Sequence, residues 1–328
     1  MYEPMLPQGD AAALMPGASY SVPGLFLYAD LVYQALDQVK AKFDYDIPVK
    51  YIYGSPQVRW NCGRPVLVDH GYSDEDLEAE LRKAVDRGIT PLLPFSAPEL
   101  TPEDLEDPRG NYLLSLLDKL GGGVIVVSPL LENHIRTNYP NIQLHASVIM
   151  TCYGADRTPA YYQDLSDRYA WYVVHPDDNF EPDLLAQLPR KGAEIMVNER
   201  CVYHCPQRGE HYLANHRDQI AMIEGSGEFV NFLDRCPFVP DFKQQTTKGR
   251  NASLTARECQ EIRAMGYELF KLQGRLDSPY VFFFDFFRYT LENELAFPAI
   301  YPAFCFAIRS HLKAVEKKRR EKGRGRGT

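Results

Sequence analysis

The sequence predicts an α/β protein folded as a TIM-type (β/α)8 barrel or a closely related barrel, with an N-terminal extension and a C-terminal helical segment. Three observations predict it. Short apolar runs recur from about residue 48, and they are continuous rather than alternating, as suits strands covered on both faces. Helical stretches with clear start signals lie between them, which implies parallel βαβ units. The runs number about eight, the count a closed barrel needs.

In chain order the expected strands are Val49–Tyr53, Thr90–Pro94, Gly123–Val127, Ile142–Ala146, Trp171–Val174, Ala193–Val197, a weak Phe238-Val239 and Glu268–Leu272. Ser73-Asp-Glu-Asp76 opens a helix with a capping box, and Thr101-Pro-Glu-Asp104 opens another with Pro at its first position. A third runs from Ser253 to Met265 and ends at Gly266. A doubly wound open sheet is the alternative, but no G-x-G-x-x-G follows a first strand. Residues 1–45 are punctuated by Pro4, Pro7, Pro16 and Pro23 and read as an extension packed on the barrel of residues 46–280. A helical segment, 281–312, carries the aromatic run Tyr280–Tyr289.

Charge is polarised along the chain. From Lys313 to Thr328 eight basic residues face two acidic ones, a net +6, which leaves −14 on the rest of a chain whose net charge is −8. The end, Lys322-Gly-Arg-Gly-Arg-Gly-Thr328, is too polar and glycine-rich to pack, so 313–328 is expected to be a disordered basic tail. It reads as a solubilising tail or as a contact for nucleic acid or an acidic partner. No apolar stretch reaches bilayer length, and Met1-Tyr-Glu-Pro lacks the pattern of a secretory signal, so the expected location is cytoplasmic, with no membrane contact. Seven cysteines, an odd number in a signal-free chain, argue against a disulfide framework.

In a barrel of this type, chemistry gathers where strands run out. Those positions carry His145, His175, Asn198, Glu199, Cys201, Lys271 and Arg275. Cys201-x3-Cys205 is the sharpest signal, because two thiolates at that spacing can reach one metal or one cluster corner. The spacing also fits two unligated loop thiols. Arg208, three residues after Cys205, stands where a radical S-adenosylmethionine enzyme would carry a third cysteine. Lys271 and Arg275 can bind an anionic substrate group, or pair with Glu199 or Asp177 to close the barrel. His145 and His175 are acid/base or structural histidines. Glu199 is an acid/base candidate or a partner of Arg200 or Arg208.

Four stretches together resemble the collagenase-like peptidase family of the U-32 type. They are Val197-Asn-Glu-Arg-Cys-Val-Tyr-His-Cys-Pro-Gln-Arg-Gly-Glu-His-Tyr212, Gly123-Val-Ile-Val-Val-Ser-Pro129, Leu144-His-Ala-Ser-Val148 and Phe270-Lys-Leu-Gln-Gly-Arg275. Phe238-Val-Pro-Asp-Phe242 stands where the family has a turn, without its arginine. The resemblance covers about residues 110 to 280. It implies a TIM-like barrel, and it includes relatives that hold a 4Fe-4S cluster through four cysteines and take part in oxygen-independent hydroxylation of RNA or ubiquinone precursors. Carried over, it implies Cys201, Cys205 and Cys236 as ligands, with Cys62 as the fourth and Cys152 as its alternative.

The expectation is therefore an iron-sulfur enzyme, or a component of one, that modifies a small molecule, peptide or RNA. His145, His175 and Glu199 are its acid/base candidates, and Lys271, Arg275 and Asn198 its substrate-binding candidates. Two alternatives stand beside it. One is a zinc-dependent hydrolase or structural zinc barrel using Cys201, Cys205, Cys236 and His204 or His211. The other is a non-catalytic barrel subunit that presents its aromatic C-terminal segment to a partner or to a second copy.

Overall fold

The computed structural model describes residues 5–62, 72–153, 156–232, 236, 251–274 and 278–324, with side chains in the last helix described as far as Lys317. The chain divides into two compact units, one of residues 18–27 and 49–273 and one of residues 1–17, 28–48 and 274–328.

The first unit is the barrel. Its strands are β1 (Ser19–Pro23), β2 (Val49–Tyr53), β3 (Thr90–Leu93), β4 (Gly123–Val126), β5 (Gln143–Ala146), β6 (Trp171–Val173), β7 (Ala193–Met196) and, after the short strands β8 (Asn198–Val202) and β9 (Asn251–Ser253), β10 (Leu269–Lys271). The eight barrel strands close in the order β1-β10-β7-β6-β5-β4-β3-β2, while β8 and β9 pair separately. Every barrel pairing is parallel. The helices of this unit are α2 (Asp74–Asp86), α3 (Pro108–Leu120), α4 (Pro129–Asn138), α5 (Pro159–Arg168), α6 (Pro182–Gln187), α7 (Arg208–Glu224) and α8 (Ala256–Ala264). The expected capping box at Ser73 is present, with the Ser73 hydroxyl accepting from the Asp76 N–H and the Asp76 carboxylate accepting from the Ser73 N–H.

The barrel is as expected, but its first strand is not. β1 lies inside the stretch read as an N-terminal extension. β10 pairs on one side with β1 (Ser19↔Leu269) and on the other with β7 (Leu269↔Glu194), which leaves no place between β7 and β10 for the weak Phe238-Val239 strand. That segment lies outside the described residues. The reason for the misreading is local. Ser19-Tyr-Ser-Val-Pro23 is short, alternates serine with apolar residues and is hemmed by Pro16, Gly17 and Gly24, so it scores as a turn. Its serines are explained inside the barrel, where Ser21 faces a charge.

Two glycines are required by close approach. A Cβ at Gly54, just past β2, would sit 2.2 Å from the Leu25 carbonyl oxygen. A Cβ at Gly123 would sit 2.9 Å from the Gln143 carbonyl oxygen and 3.1 Å from His145 Nε2, so glycine makes room for that ring.

The second unit is helical, with α1 (Ala29–Phe43), α9 (Pro279–Thr290) and α10 (Ala296–Arg324). The aromatic run is the helix expected: Phe283 and Phe287 of α9 pack on Phe304 of α10 at ring distances of 4.8 and 5.2 Å. Tyr28 closes on Phe282 at 5.2 Å. The basic tail differs from expectation, because α10 continues through residues 313–324. Ala314, Glu316, Lys317, Lys318, Arg319, Arg320 and Glu321 are strong helix formers. They extend a helix that the packed turns at Ile300, Phe304 and Ile308 have already nucleated. Among the described residues no helix is long and apolar enough to cross a membrane.

Candidate functional site

The C-terminal mouth of the barrel gathers the sequence signals of the region around Cys201. Beyond β7, the Val197 N–H bonds to the Lys271 carbonyl, and the chain continues as β8, which pairs antiparallel with β9. Asn198 fastens this exit: its Nδ2 donates to the Gln273 carbonyl at 3.0 Å and its Oδ1 accepts from the Gln273 N–H at 2.6 Å. Those bonds make Asn198, expected to touch substrate, a tie between two strand ends. Glu199 is equally engaged. Oε1 accepts from the Cys201 N–H at 2.8 Å and Oε2 from Gln273 Nε2 at 2.6 Å.

His204 has φ 54°, a left-handed conformation that histidine tolerates better than most residues. The turn returns the chain, and the Cys201 and Cys205 thiols act on each other's acidity. Their interaction raises Cys201 and pushes Cys205 down, to about 6; the Gln207 N–H and the Arg208 guanidinium add to the depression, against the effect of burial. Cys205 stands two residues before the N-cap of α7, where a helix start favours a thiolate. Both thiols are partly accessible and neither is in a disulfide.

Behind them lies Arg208, 5% exposed. Its Nη2 donates to Asp177 Oδ1 and to the Val202 carbonyl, each at 3.0 Å, and its Nη1 lies 3.1 Å from His175 Nε2. Burial opposes its charge, but Glu199, Asp177 and Cys201 hold it protonated. Its Nε–H has no hydrogen-bond acceptor among the described residues. His175 is pushed down to about 2, first by burial and then by Arg208, Arg157 and His204. It is therefore a neutral ring that orients Arg208 rather than an acid. Beside it, Asp178 accepts from Tyr162 at 2.6 Å and from Arg157 Nε at 2.9 Å.

The remaining expected residues scatter. Cys62 donates its thiol to the Tyr212 carbonyl at 3.3 Å, in an apolar cluster with Val148, Ile149, Val173 and Met196. Cys152 donates to the Val148 carbonyl at 3.3 Å, and burial pushes it up to about 12. Cys236 is a free, partly accessible thiol. Lys271 pairs with Glu194 Oε2 at 2.8 Å inside the barrel, with its ammonium 4.6 Å from the centre of the Tyr53 ring. Ser21 donates to the other oxygen of Glu194. The expected ion pair exists, but its acid is Glu194 rather than Glu199 or Asp177. His145 also lies in the interior, edge-on to Tyr51 at 5.2 Å. Burial, then Lys271 and Lys50, push it down to about 3, and its Nε2 has no partner among the described residues. Arg275 lies outside the described residues.

Sequence reasoning missed Arg208 as an organising residue and Glu194 altogether. Glu194 left a signal, a carboxylate in the middle of the apolar strand Ala193-Glu-Ile-Met196. Arg208 left only its place at a helix start. Among the described residues no three His, Cys, Asp or Glu side chains converge as a metal set.

No family model matches the chain, and no curated protein sequence matches it. Among solved structures, that of the U32 peptidase Mk0906 aligns with 84% of this chain and 96% of its own, at 15% sequence identity and a TM-score of 0.46.

Proposed function

We propose that the protein is a thiol-dependent barrel enzyme, or a component of one, with Cys205 as its reactive sulfur. The observation that carries the reading is the pair of free, partly accessible thiols Cys201 and Cys205 beside a buried Arg208. A thiolate is both the nucleophile and the soft ligand among protein side chains. Cys201 lowers the pKa of its neighbour, Arg208 supplies positive charge, and Asp177 and His175 fix the guanidinium. Glu199, bonded to the Cys201 N–H, holds the loop. The substrate is a small molecule, peptide or RNA with a group that a thiolate or a thiolate-bound centre can engage.

A cluster held by four cysteines does not fit the described residues. Cys201 and Cys205 suit two ligand positions, but Cys62 is turned into the apolar cluster and Cys152 is held as a thiol. The zinc set fits no better, since among the described residues no third ligand converges with the pair.

The test is the pH dependence of alkylation. Cys205 is expected to react with iodoacetamide as a thiolate from about pH 6 upward, roughly two units below an ordinary thiol, and Cys201→Ser is expected to move that onset up. A Cys205 that reacts only above pH 8 would sink the reading. Metal and sulfide analysis of anaerobically prepared protein is the complementary measurement. Iron and sulfide present in the native chain and absent in Cys205→Ala would recast the pair as cluster ligands.

A further inference from the structure

Helix α10 carries a stripe that its own fold does not use. Arg309, Lys313 and Lys317 recur every four residues on its exposed side, and Arg320 and Arg324 continue the same register in sequence. Five cations thus span 15 helical steps, roughly 22 Å at the α-helical rise. No acid pairs with Arg309, Lys313 or Lys317 among the described residues. Phe306 heads the stripe at 71% exposure, the most exposed ring of the helix.

The barrel unit offers the opposite charge. Asp74, Glu75 and Asp76 are exposed in the first turn of α2, and Glu103 and Glu106 are exposed on the turn before α3, which packs beside α2. The phenol of Tyr112 is raised by partial burial and then by Asp74, Glu78 and Glu75, so the local potential there is negative. The chain outside 313–328 carries −14, which repels a nucleic acid strand and attracts a basic helix.

We propose that the basic stripe of α10 docks on the acidic face formed by α2 and the turn before α3 of a second copy of this chain. The contact joins unlike surfaces, so it is heterologous: each copy offers one stripe and one acidic face, and assembly closes into a ring or runs on as a chain. Its strength rests on exposed charges, so salt weakens it over a Debye length of about 8–10 Å.

The experiment is sedimentation of the full chain at 20 and at 500 mM salt, over a hundredfold range of concentration. The expected result is association at low salt that weakens at least tenfold at high salt. Lys313→Glu with Lys317→Glu should give a monomer, as should Glu75→Lys with Glu103→Lys, and mixing the two double variants should restore association at equal stoichiometry, with the two variants alternating. All four positions are exposed, and circular dichroism checks that each variant is folded. A monomer at every low-salt concentration overturns the proposal, as does association that survives either double variant. A chain that stays monomeric but binds a single-stranded oligonucleotide with the same salt dependence also overturns it, and assigns the stripe to nucleic acid.

Discussion

The interior of the barrel and its mouth both contain buried charge, yet they treat it in opposite ways. Inside, Glu194 has Lys271 on one oxygen and Ser21 on the other, and the lysine rests on the Tyr53 ring. That pair is closed on itself. At the mouth, Arg208 is equally buried but keeps an Nε–H without an acceptor among the described residues, three residues from a thiolate-forming sulfur. A closed set of partners gives stability. An open one leaves a group available for chemistry, which is where perturbed sulfur and buried cation meet.

The largest way to break the contrast is to open the interior. Lys271→Met leaves Glu194 buried against a serine alone and is expected to cost about 3–5 kcal/mol, read as a fall in chemical-denaturation midpoint. The double variant Lys271→Met, Glu194→Leu should recover most of that loss, because an apolar pair of similar volume often replaces a buried ion pair without penalty.

Acid acts on both regions next, because His145 in the interior and His175 at the mouth are each held neutral. His145 is held neutral, at about 3, while the unfolded chain takes up the proton near its ordinary value of about 6.5. Between those values the unfolded state binds more protons, so stability falls as pH drops below about 6.5. The loss is on the order of a few kcal/mol by pH 4. His145→Leu should flatten the acid limb of a stability-versus-pH curve and leave Cys205 alkylation unchanged.

A third measurement sharpens the mouth. Arg208→Gln should raise the pH at which Cys205 begins to react, by on the order of one unit, since the cation is one of three causes of its depression. Arg208→Lys should sit between, as lysine keeps the charge but not the forked bonds to Asp177 and His175. The smallest effect is expected for Cys62→Ala. It removes one sulfur from an apolar cluster, about 1 kcal/mol or less, and leaves the alkylation profile of Cys205 where it was.

The barrel was legible because seven of its eight strands are short, mostly apolar runs, as strands covered on both faces tend to be. β1 was not, because its inward position is Ser21, a residue chosen for Glu194 rather than for strand propensity. The Cys201–Cys205 loop was legible from spacing and place. The role of Arg208 was not, since the partners that define it, His175, Asp177 and Val202, come from separate segments and meet only in three dimensions. The position of His145 in the sequence marks a strand end but not which way its ring turns, and the ring lies among Tyr51 and Lys271 rather than at the mouth.

The pairing of Ser19 with Leu269 has a consequence for how the chain comes to be. The two residues are 250 positions apart, so the last seam of the barrel joins the earliest strand to nearly the last. During synthesis β1 can pair with β2 early, but the backbone groups on its other side must wait until β10 has left the ribosome. At roughly 5–20 residues per second that interval is tens of seconds. Closure of so long a loop is slow in its own right. In that interval the edge of β1 that will meet β10 is open to a stranger's strand, and the chain depends most on whatever shields nascent polypeptides.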